Sequence, residues 1–78
     1  MKFYGYAETD TKTLITLADV TIQAKPDELR NIANFLIKCA SDIENNENWE
    51  HEHLIDYLNI NGNLVNVNAD IVVCKTNT

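Results

Sequence analysis

The sequence predicts an α+β fold: a mainly antiparallel sheet of three strands, or four, with one long helix packed on one face and a short second helix. Three observations predict it. Residues 2–8 and 13–23 are rich in aromatic and β-branched side chains and flank a short polar connection, the pattern of a hairpin. Residues 26–44 repeat apolar side chains at three- and four-residue spacing, the period of an amphipathic helix. The run Ala69-Asp70-Ile71-Val72-Val73-Cys74 is short, apolar and β-branched, as a buried closing strand is.

In the first strand Phe3, Gly5 and Ala7 share one face and Tyr4 and Tyr6 the other. Thr9-Asp10-Thr11-Lys12 is a polar turn. In the second strand the even positions Leu14, Thr16, Ala18, Val20 and Ile22 form the more apolar face. On its other face Ile15 and Leu17 give way to Asp19, Thr21 and Gln23. The strand therefore starts buried on both sides and ends with one face wet, or it carries a bulge near Ala18-Asp19.

Pro26 suits the first position of the long helix, where its missing N–H costs nothing, and Asp27 and Glu28 favour the positive end of the helix dipole. Leu29, Ile32, Ala33, Leu36, Ala40 and Ile43 make the expected buried stripe, widened on its flanks by Phe35, Ile37 and Cys39. Arg30, Asn34, Lys38 and Ser41 lie opposite. Residues 52–58 read as the short helix, with Leu54, Ile55 and Leu58 inward and Asn61-Gly62 as its end. A hairpin of 55–60 with 63–67 about Asn61-Gly62 is the competing reading.

Seventy-eight residues make one domain, expected over 1–75, with 76–78 as a disordered tail. A chain of this size buries only about 60–65% of the surface its unfolded form exposes, so partner association would add to a small margin. With 45% hydrophobic residues in periodic segments, the body is not disordered. Only Lys75-Thr76-Asn77-Thr78 and Glu44-Asn45-Asn46-Glu47-Asn48 are expected to be poorly ordered.

Twelve acidic residues against six basic give a net charge of −6. That excludes non-specific nucleic-acid binding, which needs a basic surface to displace counterions. It fits a soluble acidic protein or one steered to a basic partner. Residues 1–8 lack a signal-peptide core and no stretch approaches the length of a membrane span, so a cytoplasmic, membrane-independent protein is expected. Cys39 and Cys74 are expected as reduced thiols, and their separation makes no zinc motif. A homodimer formed by pairing of edge strands is compatible with the pattern.

Both histidines fall in Trp49-Glu50-His51-Glu52-His53, the one cluster able to carry chemistry. Residues two apart share a face on a strand but diverge by about 200° on a helix. His51 and His53 thus converge on one metal ion only in an extended segment, and zinc would need a further ligand from Glu8, Glu47, Asp56 or a partner. An imidazole beside a carboxylate is also serviceable as an acid–base pair near neutral pH, but no nucleophile elbow or phosphate loop accompanies it. The plainer reading has Glu50 and Glu52 solvated at a helix start, with one histidine packed on the long helix and bonded to backbone carbonyls. The remaining reading is a binding surface built from Trp49, Glu50, His51, Glu52 and His53, with Trp49 as aromatic anchor. Partner binding is assigned to those five residues; no catalytic residue, metal or cofactor is assigned. Tyr4 and Tyr6 are weaker candidates for a partner surface, and Asp10, Asp19 and Asp27 are read as turn or cap residues.

Several of these segments together resemble a known family. They are the aromatic opening strand with Gly5 and Glu8, Leu17-Ala18-Asp19-Val20-Thr21-Ile22, Pro26-Asp27-Glu28-Leu29-Arg30-Asn31-Ile32-Ala33-Asn34-Phe35-Leu36, Glu50-His51-Glu52-His53-Leu54 and Asp70-Ile71-Val72-Val73. In this order they resemble the immunity protein 32 family of bacterial polymorphic toxin systems across nearly the whole chain. The Glu-His-Glu-His-Leu run is the most distinctive part, and the asparagine-rich stretch 59–68 departs from the pattern. The resemblance implies a small cytoplasmic, non-enzymatic protein that binds and neutralises a cognate toxin. It names neither the toxin nor the contact residues; a basic toxin surface is expected from charge complementarity.

Overall fold

The structure is a computed structural model that describes residues 1–62 and 69–76. Its elements run β1 (Phe3–Ala7), β2 (Asp10–Leu17), α1 (Pro26–Asn45), β3 (His51–His53), α2 (Leu54–Ile60) and β4 (Val72–Cys74). The class is α+β. Among the described residues the strands form two separate two-stranded antiparallel sheets, β1 with β2 and β3 with β4. They do not form the single three-stranded sheet expected from the sequence. The second strand ends at Leu17, and residues 18–25 run irregularly to the helix, so among the described residues no strand bridges the two ladders.

In the β1–β2 hairpin the turn is Glu8-Thr9, and the expected turn residues Asp10, Thr11 and Lys12 belong to β2. Phe3 pairs with Leu17, Tyr4 with Thr16 and Gly5 with Ile15, but Ala7 pairs with Asp10. Tyr6 alone therefore faces residues 11–14, and the irregularity lies there rather than at Ala18-Asp19. Asp10 organises it. Its carboxylate accepts the Lys12 N–H at 3.0 Å. A hydrogen bond from the Thr13 side chain, more than the Lys12 amide, holds its carboxyl below the usual carboxylate range. A short acidic side chain that captures the backbone two residues on is a turn device; here it stabilises the extra residues of β2.

Helix α1 begins as its sequence requires. The Glu28 carboxylate accepts the Lys25 N–H at 2.9 Å, and the Lys25 carbonyl accepts the Leu29 N–H at 3.0 Å, which satisfies end groups the helix cannot pair internally. Its buried line differs from the expected stripe. Phe35 and Cys39 are buried, with Ile32 packed against them, while Leu29, Ala33, Leu36 and Ala40 are exposed. The helix meets a narrow partner instead of a broad sheet. Phe35 and Cys39 form the core with Leu54 and Leu58 of α2, and Trp49, Tyr57, Ile71 and Val73 close around it. Phe35 fixes the orientation: its ring is wholly buried, with the Tyr57 ring 5.5 Å away and tilted by 50°. Among the described residues, no side chain from residues 1–18 belongs to this core.

After α1 the chain turns within 46–49. Asn48 N–H donates to Asn46 Oδ1 at 3.0 Å and Trp49 N–H to the Asn46 carbonyl at 3.1 Å. The polar run 44–48 is thus a helix end and a bonded turn, not the poorly ordered segment its composition suggested. Helix α2 begins at Leu54, two residues later than expected, and the strand reading of 55–60 is overturned. The Asn61 N–H donates to the Tyr57 carbonyl, and Gly62 follows with φ +71°, a left-handed conformation that glycine adopts at helix ends without strain. The expected partner strand 63–67 lies outside the described residues. The closing strand is shorter than 69–74: Ala69, Asp70 and Ile71 precede the ladder. No helix among the described residues is long and apolar enough to cross a membrane.

Candidate functional site

Trp49 leads from the turn into β3. Its side chain packs against the core and is half-buried. Glu50 is exposed, and its carbonyl accepts the Lys75 N–H at 2.9 Å. This continues the β3–β4 ladder, in which His51 pairs with Cys74, Glu52 with Val73 and His53 with Val72. The histidine segment is therefore extended, not the start of a helix, because its backbone groups are taken by β4.

Alternation then divides the segment. Glu52 and Val73 share the inward face, where Val73 meets the core. Both Glu52 oxygens accept the Lys38 ammonium, at 3.1 and 3.0 Å. Lys38 also donates to Asp42 at 2.7 Å. These two carboxylates, Asp42 first, raise the Lys38 pKa above its ordinary 10.5. Glu52 is a tie between α1 and β3 rather than a freely solvated charge. On the outward face stand His51, His53, Val72 and Cys74. The two imidazoles lie 5.6 Å apart, edge to face at 72°.

His53 is not bonded to a backbone carbonyl as expected. Its Nδ1 meets Asp70 Oδ2 at 2.6 Å. An ionised carboxylate only accepts, so in this contact Nδ1 is the donor. Asp70 Oδ1 accepts the Ile55 N–H at 3.1 Å and the Ile71 N–H at 2.9 Å. One carboxylate thus joins the end of β3, the first turn of α2 and the approach to β4. The Leu54 N–H donates to the Ile71 carbonyl at 2.8 Å alongside it. With both oxygens engaged, Asp70 acts as a clasp that caps α2 from a distant part of the chain.

The extended backbone meets the condition for His51 and His53 to approach one ion, and Cys74 sits across from His51. Yet among the described residues no three His, Cys, Asp or Glu side chains come together as a set able to hold a metal. Glu8, Glu47 and Asp56, the ligands considered from sequence, do not complete one. Both cysteines are free thiols, and burial pushes the Cys39 thiol up, keeping it protonated. Sequence reasoning missed three participants, Asp70, Lys38 and Cys74. Lys38 was placed opposite the buried stripe, and the rotation of α1 brings it over Glu52. Asp70 and Cys74 reach the histidines only through the β3–β4 register, which no local pattern encodes.

Of the five assigned residues, Glu50 and His51 are exposed, whereas Trp49, Glu52 and His53 are partly buried. Around them the negative charge is concentrated. Residues 1–17 hold Lys2 and Lys12 against Glu8 and Asp10, so the whole net charge of −6 belongs to the rest of the chain. The last turn of α1 carries no basic residue to offset its carbonyl end.

Comparison with curated proteins gives no match. Comparison with solved structures gives none either. The family model described as Immunity protein 32 matches residues 19–76, a span that takes in α1, the histidine segment, α2 and β4 and leaves out the β1–β2 hairpin. The chain belongs to the immunity protein 32 family.

Proposed function

We propose that this chain is a non-enzymatic, cytoplasmic immunity protein of a polymorphic toxin system that binds and neutralises a cognate toxin. Family membership carries the reading. The contact surface is centred on Trp49, Glu50, His51, Glu52 and His53. Within it Glu50 and His51 supply the exposed polar contacts, and the half-buried Trp49 supplies an aromatic anchor. Glu52 and His53, held by Lys38 and Asp70, keep the strand in position. The net charge of −6, all outside the hairpin, favours a toxin with a basic face and fast, salt-sensitive association.

Trp49 is the only tryptophan, so its fluorescence in the free protein reports this surface alone. Calorimetric titration with a catalytically inactivated toxin domain encoded beside the gene is expected to show saturable binding that weakens with salt. Absence of binding to any neighbouring toxin overturns the proposal. A competing reading, a metal-binding module built on His51 and His53, draws on their shared face and 5.6 Å ring separation. Elemental analysis of purified protein separates the two: stoichiometric zinc, nickel or iron favours the module, and metal-free protein that still binds toxin removes it.

A further inference from the structure

Building on the immunity reading, we infer that the toxin meets the outward face of the β3–β4 ladder, so that Val72 and Cys74 of β4 join His51 and His53 as contacts. Glu52 supports this face from the other side and does not touch the toxin. The register carries it. His51 pairs with Cys74 and His53 with Val72. The Lys75 N–H donates to the Glu50 carbonyl and the Leu54 N–H to the Ile71 carbonyl, which makes 50/75 and 54/71 hydrogen-bonded pairs. By alternation His51–Cys74 and His53–Val72 are the non-hydrogen-bonded pairs, whose facing side chains stand closest, with Cβ atoms about 4.5–5.5 Å apart. A group that covers the His51 ring therefore also meets Cys74, and one that covers His53 meets Val72.

Exposure alone does not single out this face, since Leu36 and Ile37 of α1 are as open as Val72. Its place across the ladder from the two histidines does. One side of a specific interface takes in about 20–30 residues, so a contact at His51 cannot stop at a strand of three. Val72 and Cys74 are exposed and face the same way. The chemistry of the face also sets what fits it. Glu52, the carboxylate between the histidines, turns inward and gives both oxygens to Lys38. Asp70, at the edge, is engaged by His53, Ile55 and Ile71. Glu50 remains exposed where the chain enters β3. The partner is thus a toxin that sets an apolar group on Val72 and Cys74 and a basic group on Glu50, an apolar centre with a charged rim.

Cys74 supplies the test, because the other thiol, Cys39, is buried. The full chain, alone and in complex with the inactivated toxin encoded beside the gene, is alkylated with iodoacetamide and the Cys74 peptide is followed by mass spectrometry. Free protein is expected to react at Cys74 as an open thiol does, and the complex at least about tenfold more slowly. In calorimetry Val72→Lys is expected to weaken binding by about tenfold or more, as a charge forced into an interface centre does. Ile37→Glu, at an exposed position on α1, leaves binding unchanged. Should Val72→Lys fail to fold, alkylation of the unaltered chain decides the matter. A complex that forms yet leaves Cys74 as reactive as in the free protein overturns the inference and leaves the immunity reading standing. So does unchanged affinity of folded Val72→Lys, or a Cys74 already slow in the free protein. Absence of a complex with any neighbouring toxin overturns the immunity reading, and this surface with it.

Discussion

The two ladders differ in a way that their sequences invert. The β1–β2 hairpin has the longer strands and the stronger β pattern, yet among the described residues it contributes no side chain to the core. The β3–β4 ladder has three residues per strand and alternates His and Glu, yet its inward face is anchored. Its inward face meets the core through Val73, Lys38 ties Glu52 to α1, and Asp70 clasps the end of β3 and the approach to β4 to the first turn of α2. Apolar content alone does not locate the interior of a small domain. Position does: a polar strand whose inward charge is paired stays in place, while an apolar ribbon with no cover remains a surface.

Substitutions in the two regions should therefore separate sharply. The largest effect is expected at the core that the second ladder serves. Phe35→Ala should cost about 3–5 kcal/mol, a large share of the roughly 4–12 kcal/mol a chain of this length can hold. Denaturant unfolding followed by circular dichroism checks it, and a loss below that of any hairpin substitution would dissolve the contrast. Next is the clasp. Asp70→Ala leaves the Ile55 and Ile71 amides and His53 Nδ1 without their acceptor, an expected loss of about 1–3 kcal/mol, with amide exchange at Ile55 and Ile71 rising first. Equal exchange in both proteins would mean the clasp is decorative.

A smaller effect is expected at Lys38, whose ion pairs are partly exposed. Lys38→Met should cost about 0.5–1 kcal/mol. The lysine pKa is raised in the folded state, so its contribution is complete below the unfolded value of about 10.4 and fades as pH rises through the folded value. The stability gap between Lys38→Met and the unaltered protein should close in alkali and stay open at neutral pH. The smallest effect belongs to the hairpin. The Asp10 carboxyl is lowered, so its contribution is present above about 3.9 and is lost as pH falls through the folded value. Two-dimensional NMR should show the Lys12 and Thr13 amides shifting only in that acid range, with Phe35 signals unmoved.

Much of the local structure was legible. Pro26, Asp27 and Glu28 mark the start of α1, Asn61-Gly62 the end of α2, and residues 72–74 the closing strand, because each is set by nearest neighbours in sequence. The arrangement was not. The buried side of α1 depends on Phe35 finding Leu54 and Leu58, and several apolar residues in the expected stripe competed for that role. Strand length misled for a related reason: residues 18–23 have the composition of a strand but, among the described residues, no strand to pair with. At the site, the Glu-His-Glu-His-Leu run could be singled out from the sequence, but not what holds it. Its internal ties run to Lys38 and Asp70, whose proximity exists only after folding.

Whether the polar ladder, and not the apolar hairpin, meets the toxin is decided by growth of cells expressing the toxin encoded beside this gene. The unaltered chain is compared with Glu50→Lys and Tyr6→Glu at matched protein levels. Full rescue is expected from the unaltered chain and from Tyr6→Glu. A weakened rescue is expected from Glu50→Lys, which reverses charge on the exposed rim of the site without touching the core. No rescue by the unaltered chain, or full rescue by Glu50→Lys with none by Tyr6→Glu, would contradict it.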